Sequence, residues 1–147
     1  MPFDAEEIQN LAVSMIALSL AIVIANYGLK AFLSFSVIDS LSILSIIALT
    51  VGTGFVLHEL AHKFAAQKFG ARAFFRAWPI GLLFMMLLPL MGSSFIFAAP
   101  GATYIFASRF TRRQNGLVSL AGPVTNFILG LGFLLLNVNP RSVCINH

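Results

Sequence analysis

Residues 77–108 read AWPIGLLFMMLLPLMGSSFIFAAPGATYIFAS, thirty-two positions without a single Asp, Glu, Lys or Arg. An α-helix crosses a bilayer in about 20 apolar residues, so this interval is too long for one simple span. Pro89, Gly92, Pro100 and Gly101 punctuate it, and Ala99-Pro100-Gly101-Ala102 sets Pro and Gly at the two central positions of a type II turn. The pattern predicts a helix over 79–97, then a turn and an extended return through 103–107. Lipid offers no partner to the backbone of an extended segment, so such a return must be covered by protein or line a wet cavity.

The charges on either side follow from the same choice. Lys63, Lys68, Arg72 and Arg76 precede the interval, and Arg109, Arg112 and Arg113 follow it. A single crossing would put these clusters on opposite sides of the membrane. A crossing and return puts both on one side, the arrangement that the positive-inside rule favours. The return is therefore expected, with the amino terminus, both clusters and the end of the helix carrying residues 57–64 toward the cytoplasm.

Of the 147 residues, 59% are hydrophobic and 10% charged, against about a quarter charged in soluble domains. Three more uncharged intervals, 8–29, 40–58 and 114–140, are near or above the ~18 residues that mark a spanning helix. No internal repeat or low-complexity linker divides the chain. The expectation is one domain over residues 1–147: an all-α integral membrane protein with about four transmembrane helices and a short re-entrant or extended segment around 99–107. It would be multi-pass in the cell membrane, with the lipid bilayer as its surroundings.

The acidic start (Asp4, Glu6, Glu7) argues against a cleavable signal peptide, so the first apolar segment is expected to stay as a span. The net charge of +4 comes mostly from residues flanking apolar segments, which topology explains better than a phosphate-binding face; no nucleic-acid partner is expected. Cys144 has no second cysteine to pair with and sits in a polar tail with no histidine placed to activate it, so neither a disulfide within the chain nor a catalytic thiol is expected. Trp78, beside Arg76 and Pro79, reads as an interfacial anchor. The sequence assigns no oligomeric state.

Residues 57–64, LHELAHKF, interrupt this apolar background. An ionisable residue within a span costs on the order of 2.5–3.5 kcal/mol on insertion scales, which makes such residues functional candidates by default. Residues four apart share one helix face, so His58 and His62 can present imidazole nitrogens to one metal ion. Glu59 is rotated about 100° from His58, near enough to reach a water without being a ligand. Zinc suits two neutral imidazoles and acidifies water toward a pKa of ~7. Glu59 would then act as general base and afterwards hand the proton to a leaving amine. The reaction class is amide hydrolysis without a covalent intermediate. The bland alternative is an interfacial helix end, but Lys63 and Lys68 would supply that anchoring by themselves.

A second polar intrusion, Gly122-Pro123-Val124-Thr125-Asn126, lies in the last apolar interval. Proline removes a helical hydrogen bond and frees a carbonyl, while Asn126 offers a donor and an acceptor. Near a metal-polarised carbonyl that amide could stabilise an oxyanion or fix a substrate backbone; as ordinary helix-packing glue it would do neither. Both readings stand on the residues alone. Thr50, Gly52, Thr53 and Gly54 are expected to permit close helix contact, with a wet path for hydrolytic water as the alternative.

HELAHKFAAQKFG, with Ala66 and Gly70 after the metal motif, and SLAGPVTNFILG together resemble the site-2 protease family of intramembrane zinc metalloproteases (peptidase family M50). The likeness runs from about Val51 to Leu136 and includes the PGATYIF region between the two motifs. The resemblance implies that His58 and His62 bind Zn2+, that Glu59 is catalytic, and that Asn126 contacts substrate or transition state. It also implies that the substrates are membrane-spanning helices of other proteins. A helix hides its amides in internal hydrogen bonds, so a substrate must unwind, and the Pro100-Gly101 return offers an edge on which an extended peptide could pair.

The family takes its third zinc ligand from an aspartate in a Leu-Asp-Gly motif after the GPxxN segment, and no Asp or Glu follows Glu59 here. The expectation is a form lacking the family's last core helix. Three readings follow: a truncated product, a natural short form borrowing a ligand from Asp39, His147 or another subunit, or an inactive relative that binds membrane helices without cutting them. A membrane metal or proton transporter using His58, Glu59 and His62 is the rival outside this class, but the repeated halves common in transporters are missing. Gly92-Ser93-Ser94 is the only hint of a serine protease.

Overall fold

The computed structural model describes residues 3–107 and 109–137. Its elements run α1 (Ala5–Tyr27), α2 (Leu29–Ser34), α3 (Val37–Ile47), a π-helical turn (Ala48–Gly52), α4 (Thr53–Lys68), β1 (Arg72–Ala77), α5 (Pro79–Leu90), β2 (Gly101–Phe106) and α6 (Arg112–Asn137). The fold is mostly helical, and among the described residues three helices are long and apolar enough to cross a membrane: Ala5–Tyr27, the 32-residue rod Val37–Lys68, and Arg112–Leu135. Only 6% and 11% of the spanning windows of the second and third are buried within the protein, against 39% in α1. Their apolar side chains face outward, as lipid-exposed helices require.

Among the described residues the structure gives three candidate spans where about four are expected. The long interval 77–108 yields α5, only 12 residues, or about 18 Å at 1.5 Å per residue, well short of a ~30 Å hydrocarbon core. The helix expected to reach residue 97 stops at Leu90 because Gly92 takes φ 86°. With Gly92 left-handed, its N–H bonds Pro89 O at 2.9 Å and Ser93 N–H bonds Leu88 O at 3.1 Å, the paired bonds of a Schellman cap. Ser93, the serine-protease hint, has its hydroxyl on the Phe95 amide of its own turn.

The all-α expectation is corrected too. The extended return is present as β2, but it is a strand of a two-stranded antiparallel sheet, Arg72 opposite Phe106 through Ala77 opposite Gly101. Its partner β1 reads in the sequence only as part of a basic cluster. What launches β1 is Gly70, at φ 81°: its N–H reaches Gln67 O at 2.9 Å and Ala71 N–H reaches Ala66 O at 3.1 Å, a second Schellman cap that ends α4. Gly101 cannot carry a side chain, since a Cβ there would strike the Phe75 ring and the Arg76 carbonyl.

The register also decides which sheet edge is open. Trp78 N–H bonds Pro100 O at 3.0 Å, so hydrogen-bonded pairs recur at every second position, 76/102, 74/104 and 72/106. The backbone groups of residues 73, 75 and 77 therefore point away from β2, and side chains from the helices take them. Phe75 N–H donates to Glu7 Oε1 at 3.0 Å, Ala77 N–H to Asn10 Oδ1 at 3.1 Å, and Gln67 Nε2 donates to Ala73 O at 3.4 Å. On β2 the outward groups belong to Gly101, Thr103 and Ile105.

Two apolar clusters hold this together. Ala66 on α4, Ala71, Ala73 on β1 and Val118 on α6 are buried around Phe69, Phe110 and Ile105. Leu18, Ala21 and Met85 join α1 to α5 and to Phe55 of α4. The Phe69 and Phe110 rings meet edge-on at 6.4 Å, so the segments bearing the two basic clusters lie at one end of the bundle, as the return required. Gly52 approaches α1 so closely that a Cβ would strike Met15, whereas Gly54 has open space beside it. The Thr50 and Thr53 hydroxyls bond carbonyls of their own helix turn.

Lys63 is not the interfacial anchor expected of it. It is 2% exposed and its Nζ sits 2.5 Å from Glu7 Oε2, itself 3% exposed, with the Phe3 ring 3.9 Å away. Neighbouring Glu6 pairs with Arg76 at a more exposed site. The acidic start of α1 thus clamps α4 and β1, which explains why those carboxylates precede an apolar helix.

Candidate active site

One turn of α4 separates His58 from His62, and the structure brings their Nε2 atoms to 3.1 Å, rings edge-on at 4.8 Å between centroids. The rings converge because α6 crosses directly over them at Gly122. A Cβ there would collide with Nε2 of both histidines, so only glycine keeps that space open.

The far side of each ring is held by α6. His62 Nδ1 lies 2.7 Å from Val118 O, and His58 Nδ1 lies 3.1 Å from the Asn126 amide. A carbonyl can only accept, so His62 carries its proton on Nδ1 and turns a bare Nε2 lone pair inward. Val118 precedes by one residue the Ser119 carbonyl that Pro123 leaves without its helical donor.

Glu59 faces the hairpin. Thr103 Oγ1 is 2.9 Å from Glu59 Oε2 and 3.1 Å from Glu59 O, so the middle of β2 is tied to the glutamate. His58, Glu59 and Asn126 share a cavity of about 400 Å³ with Pro100 and Gly101 at the start of β2 and Leu18 of α1. The extended return thus lines the pocket.

The donor set accommodates zinc in part. Two imidazole nitrogens bonded to a tetrahedral ion at ~2.0–2.1 Å stand roughly 3.3 Å apart, close to the 3.1 Å observed. Among the described residues no third His, Cys, Asp or Glu joins them in a ligand cluster. Asp39 is eliminated as a borrowed ligand: it lies nineteen residues before His58 on one continuous rod, about 28 Å away, and it caps that helix with Ser36. His147, the other candidate, and Cys144 lie outside the described residues.

All four predicted residues, His58, Glu59, His62 and Asn126, therefore lie at one site. Sequence reasoning missed Thr103 and Val118. A threonine within PGATYIF was the one visible signal for the first; a backbone carbonyl has no side-chain signature.

The chain is 39% identical over 135 residues, 91% of its length, to a Methanocaldococcus jannaschii protein named "Putative zinc metalloprotease MJ0611", covering 63% of that protein. Over 139 residues, 84% of this chain, it is 30% identical to "Putative zinc metalloprotease Rip2" of Mycolicibacterium smegmatis, covering 52% of that protein. Both relatives carry zinc-metalloprotease names. The chain spans between about half and two thirds of their lengths. No family model and no solved structure matches.

Proposed function

We propose that this chain forms the catalytic part of an intramembrane zinc metalloprotease of the site-2 protease type, a multi-pass protein of the cell membrane that hydrolyses peptide bonds within transmembrane segments of other proteins. The observation that carries this reading is the convergence of the His58 and His62 Nε2 atoms beside a glutamate that faces an open strand edge.

His58 and His62 would hold zinc through Nε2, and when bound the ion supplies the Lewis acidity that lets water attack an amide near neutral pH. Glu59 takes the proton of the attacking water and returns it to the leaving amine. Thr103 holds the carboxylate that performs both transfers. An unwound substrate segment adds to the sheet on β2, where Gly101, Thr103 and Ile105 present outward N–H and C=O groups beside the cavity. The opposite edge is closed by Glu7, Asn10 and Gln67. The usual catalytic set has a third protein ligand, which none of the described residues supplies.

The test is cleavage of a transmembrane peptide library by the purified chain in proteoliposomes, read by mass spectrometry, beside Glu59→Gln and His58→Ala. Cleavage that disappears in Glu59→Gln while zinc content is retained supports hydrolysis. Zinc flux that survives Glu59→Gln overturns it in favour of transport. Peptide capture without cleavage in the wild type overturns it in favour of a binder of membrane helices.

A further inference from the structure

We propose that Asn126 is a positioning residue for His58, a reversible amide partner that lets this ring exchange tautomers when metal binds, and not a substrate contact. The proposal rests on the reading that His58 and His62 hold zinc.

Three hydrogen bonds fix where the protons sit on the two rings. His62 Nδ1–H is committed to Val118 O at 2.7 Å, which leaves its Nε2 an acceptor. That Nε2 is 3.1 Å from His58 Nε2, so while the two rings bond each other the His58 proton sits on Nε2. His58 Nδ1 is then bare, and it accepts from the Asn126 amide at 3.1 Å. All four ring nitrogens are then satisfied, with Asn126 as donor.

Were both Nε2 atoms to hold zinc, this pattern would reverse. His58 must surrender the Nε2 proton and carry one on Nδ1, which now needs an acceptor. A half-turn of the Asn126 amide exchanges Nδ2 for Oδ1 at the same place, and the two ends are nearly identical in size. Asparagine serves both tautomers; aspartate serves only the metal-bound one, and leucine serves neither. His62 needs no such partner, because Val118 O fixes it permanently in the metal-ready tautomer. The two histidines are therefore inequivalent, His62 preset and His58 switched.

Partners of this kind on a ligand histidine are worth 10–100-fold in metal affinity. The experiment is zinc competition against a chromophoric chelator with the full chain in detergent, comparing wild type, Asn126→Asp, Asn126→Leu and His58→Ala. Expected are a 10–100-fold loss of affinity in Asn126→Leu and affinity equal to or above wild type in Asn126→Asp. Wild-type affinity in Asn126→Leu overturns the proposal and returns Asn126 to substrate contact or packing. Equal zinc binding by wild type and His58→Ala, or none by wild type, overturns the metalloprotease reading itself and the proposal with it. A second measurement needs no variant: in imidazole 15N spectra of the wild type, zinc should move the His58 proton from Nε2 to Nδ1 while His62 keeps its Nδ1 proton. A His58 that retains Nε2–H with zinc bound overturns the proposal.

Discussion

Replacing Glu7 with alanine should destabilise this protein more than almost any other single change, although residue 7 lies far from the histidines in sequence. The carboxylate has two duties at once. Oε2 neutralises Lys63 at 2.5 Å, with both side chains almost fully buried, and Oε1 accepts the Phe75 amide at 3.0 Å. Removing one partner of a buried pair costs about 3–5 kcal/mol because the remaining charge stays uncompensated. The orphaned Phe75 N–H adds roughly 1–3 kcal/mol of desolvation if nothing replaces its acceptor. For a chain of this size 1 kcal/mol corresponds to about 2–4 °C in midpoint, so Glu7→Ala should lower thermal unfolding in detergent by on the order of 10 °C.

The double variant Glu7→Ala with Lys63→Met isolates the charge contribution, since it leaves no buried charge. It should recover most of the loss, short of the share belonging to Phe75. The assay is a thermal scan of wild type, both single variants and the double, closed as a mutant cycle. A Glu7→Ala midpoint within 2 °C of wild type would show that Lys63 reaches water by another route. A double variant no better than the single would show that the pair is not the source of the stability. Either result would refute the claim that the acidic start of α1 clamps α4 to the hairpin.

Three further changes probe the site itself. Thr103→Val keeps the shape of the side chain but removes the donor to Glu59, so kcat for peptide cleavage should fall at least 10-fold with KM and zinc content unchanged; Thr103→Ser should restore it, and an unaltered kcat would remove Thr103 from the mechanism. Proline at two adjacent positions of β2 should differ sharply: Ile105→Pro deletes an outward N–H and should raise KM while the hairpin persists, whereas Tyr104→Pro removes a bond to Phe74 and should lower the unfolding midpoint, with equal effects in the two arguing against the register. Gly122→Ala places a methyl against both Nε2 atoms and should abolish zinc binding while costing about 1–3 kcal/mol of stability by overpacking; normal zinc affinity in that variant would mean that α6 does not cover the rings.

What could be read in advance divides by the kind of signal each feature leaves. HELAH was legible because two imidazoles four apart on a helix have few reasons to interrupt an apolar run, and the punctuation of 77–108 by Pro and Gly was legible because those residues restrict the backbone directly. The hairpin was only half legible. Gly101 marks the turn of β2, but β1 is RAFFRA, whose two arginines and two aromatics match a basic juxtamembrane stretch as well as a strand, and only the long-range pairing decides. Lys63 was misread for a related reason: a lysine at the end of an apolar helix is an anchor unless a carboxylate is buried against it, and Glu7 lies fifty-six residues away. Val118 acts through its carbonyl, which no side chain announces.

These features converge on one asymmetry. The sheet has two edges, and the acidic residue that neutralises Lys63 also occupies the outward amide of β1, so stabilising the fold and closing the wrong edge are one event. The open edge passes Thr103, whose side chain bonds Glu59 while its backbone N–H and C=O face outward. A peptide that paired there would be aligned by the residue that holds the Glu59 carboxylate. Register along β2 would then decide which substrate amide stands beside Glu59, and cleavage position would follow backbone pairing more than side-chain identity. A substrate whose residues opposite Thr103 are N-methylated, and so unable to donate to the strand, should lose cleavage or shift its cut by two residues; an unchanged cut site would mean that β2 does not set the register.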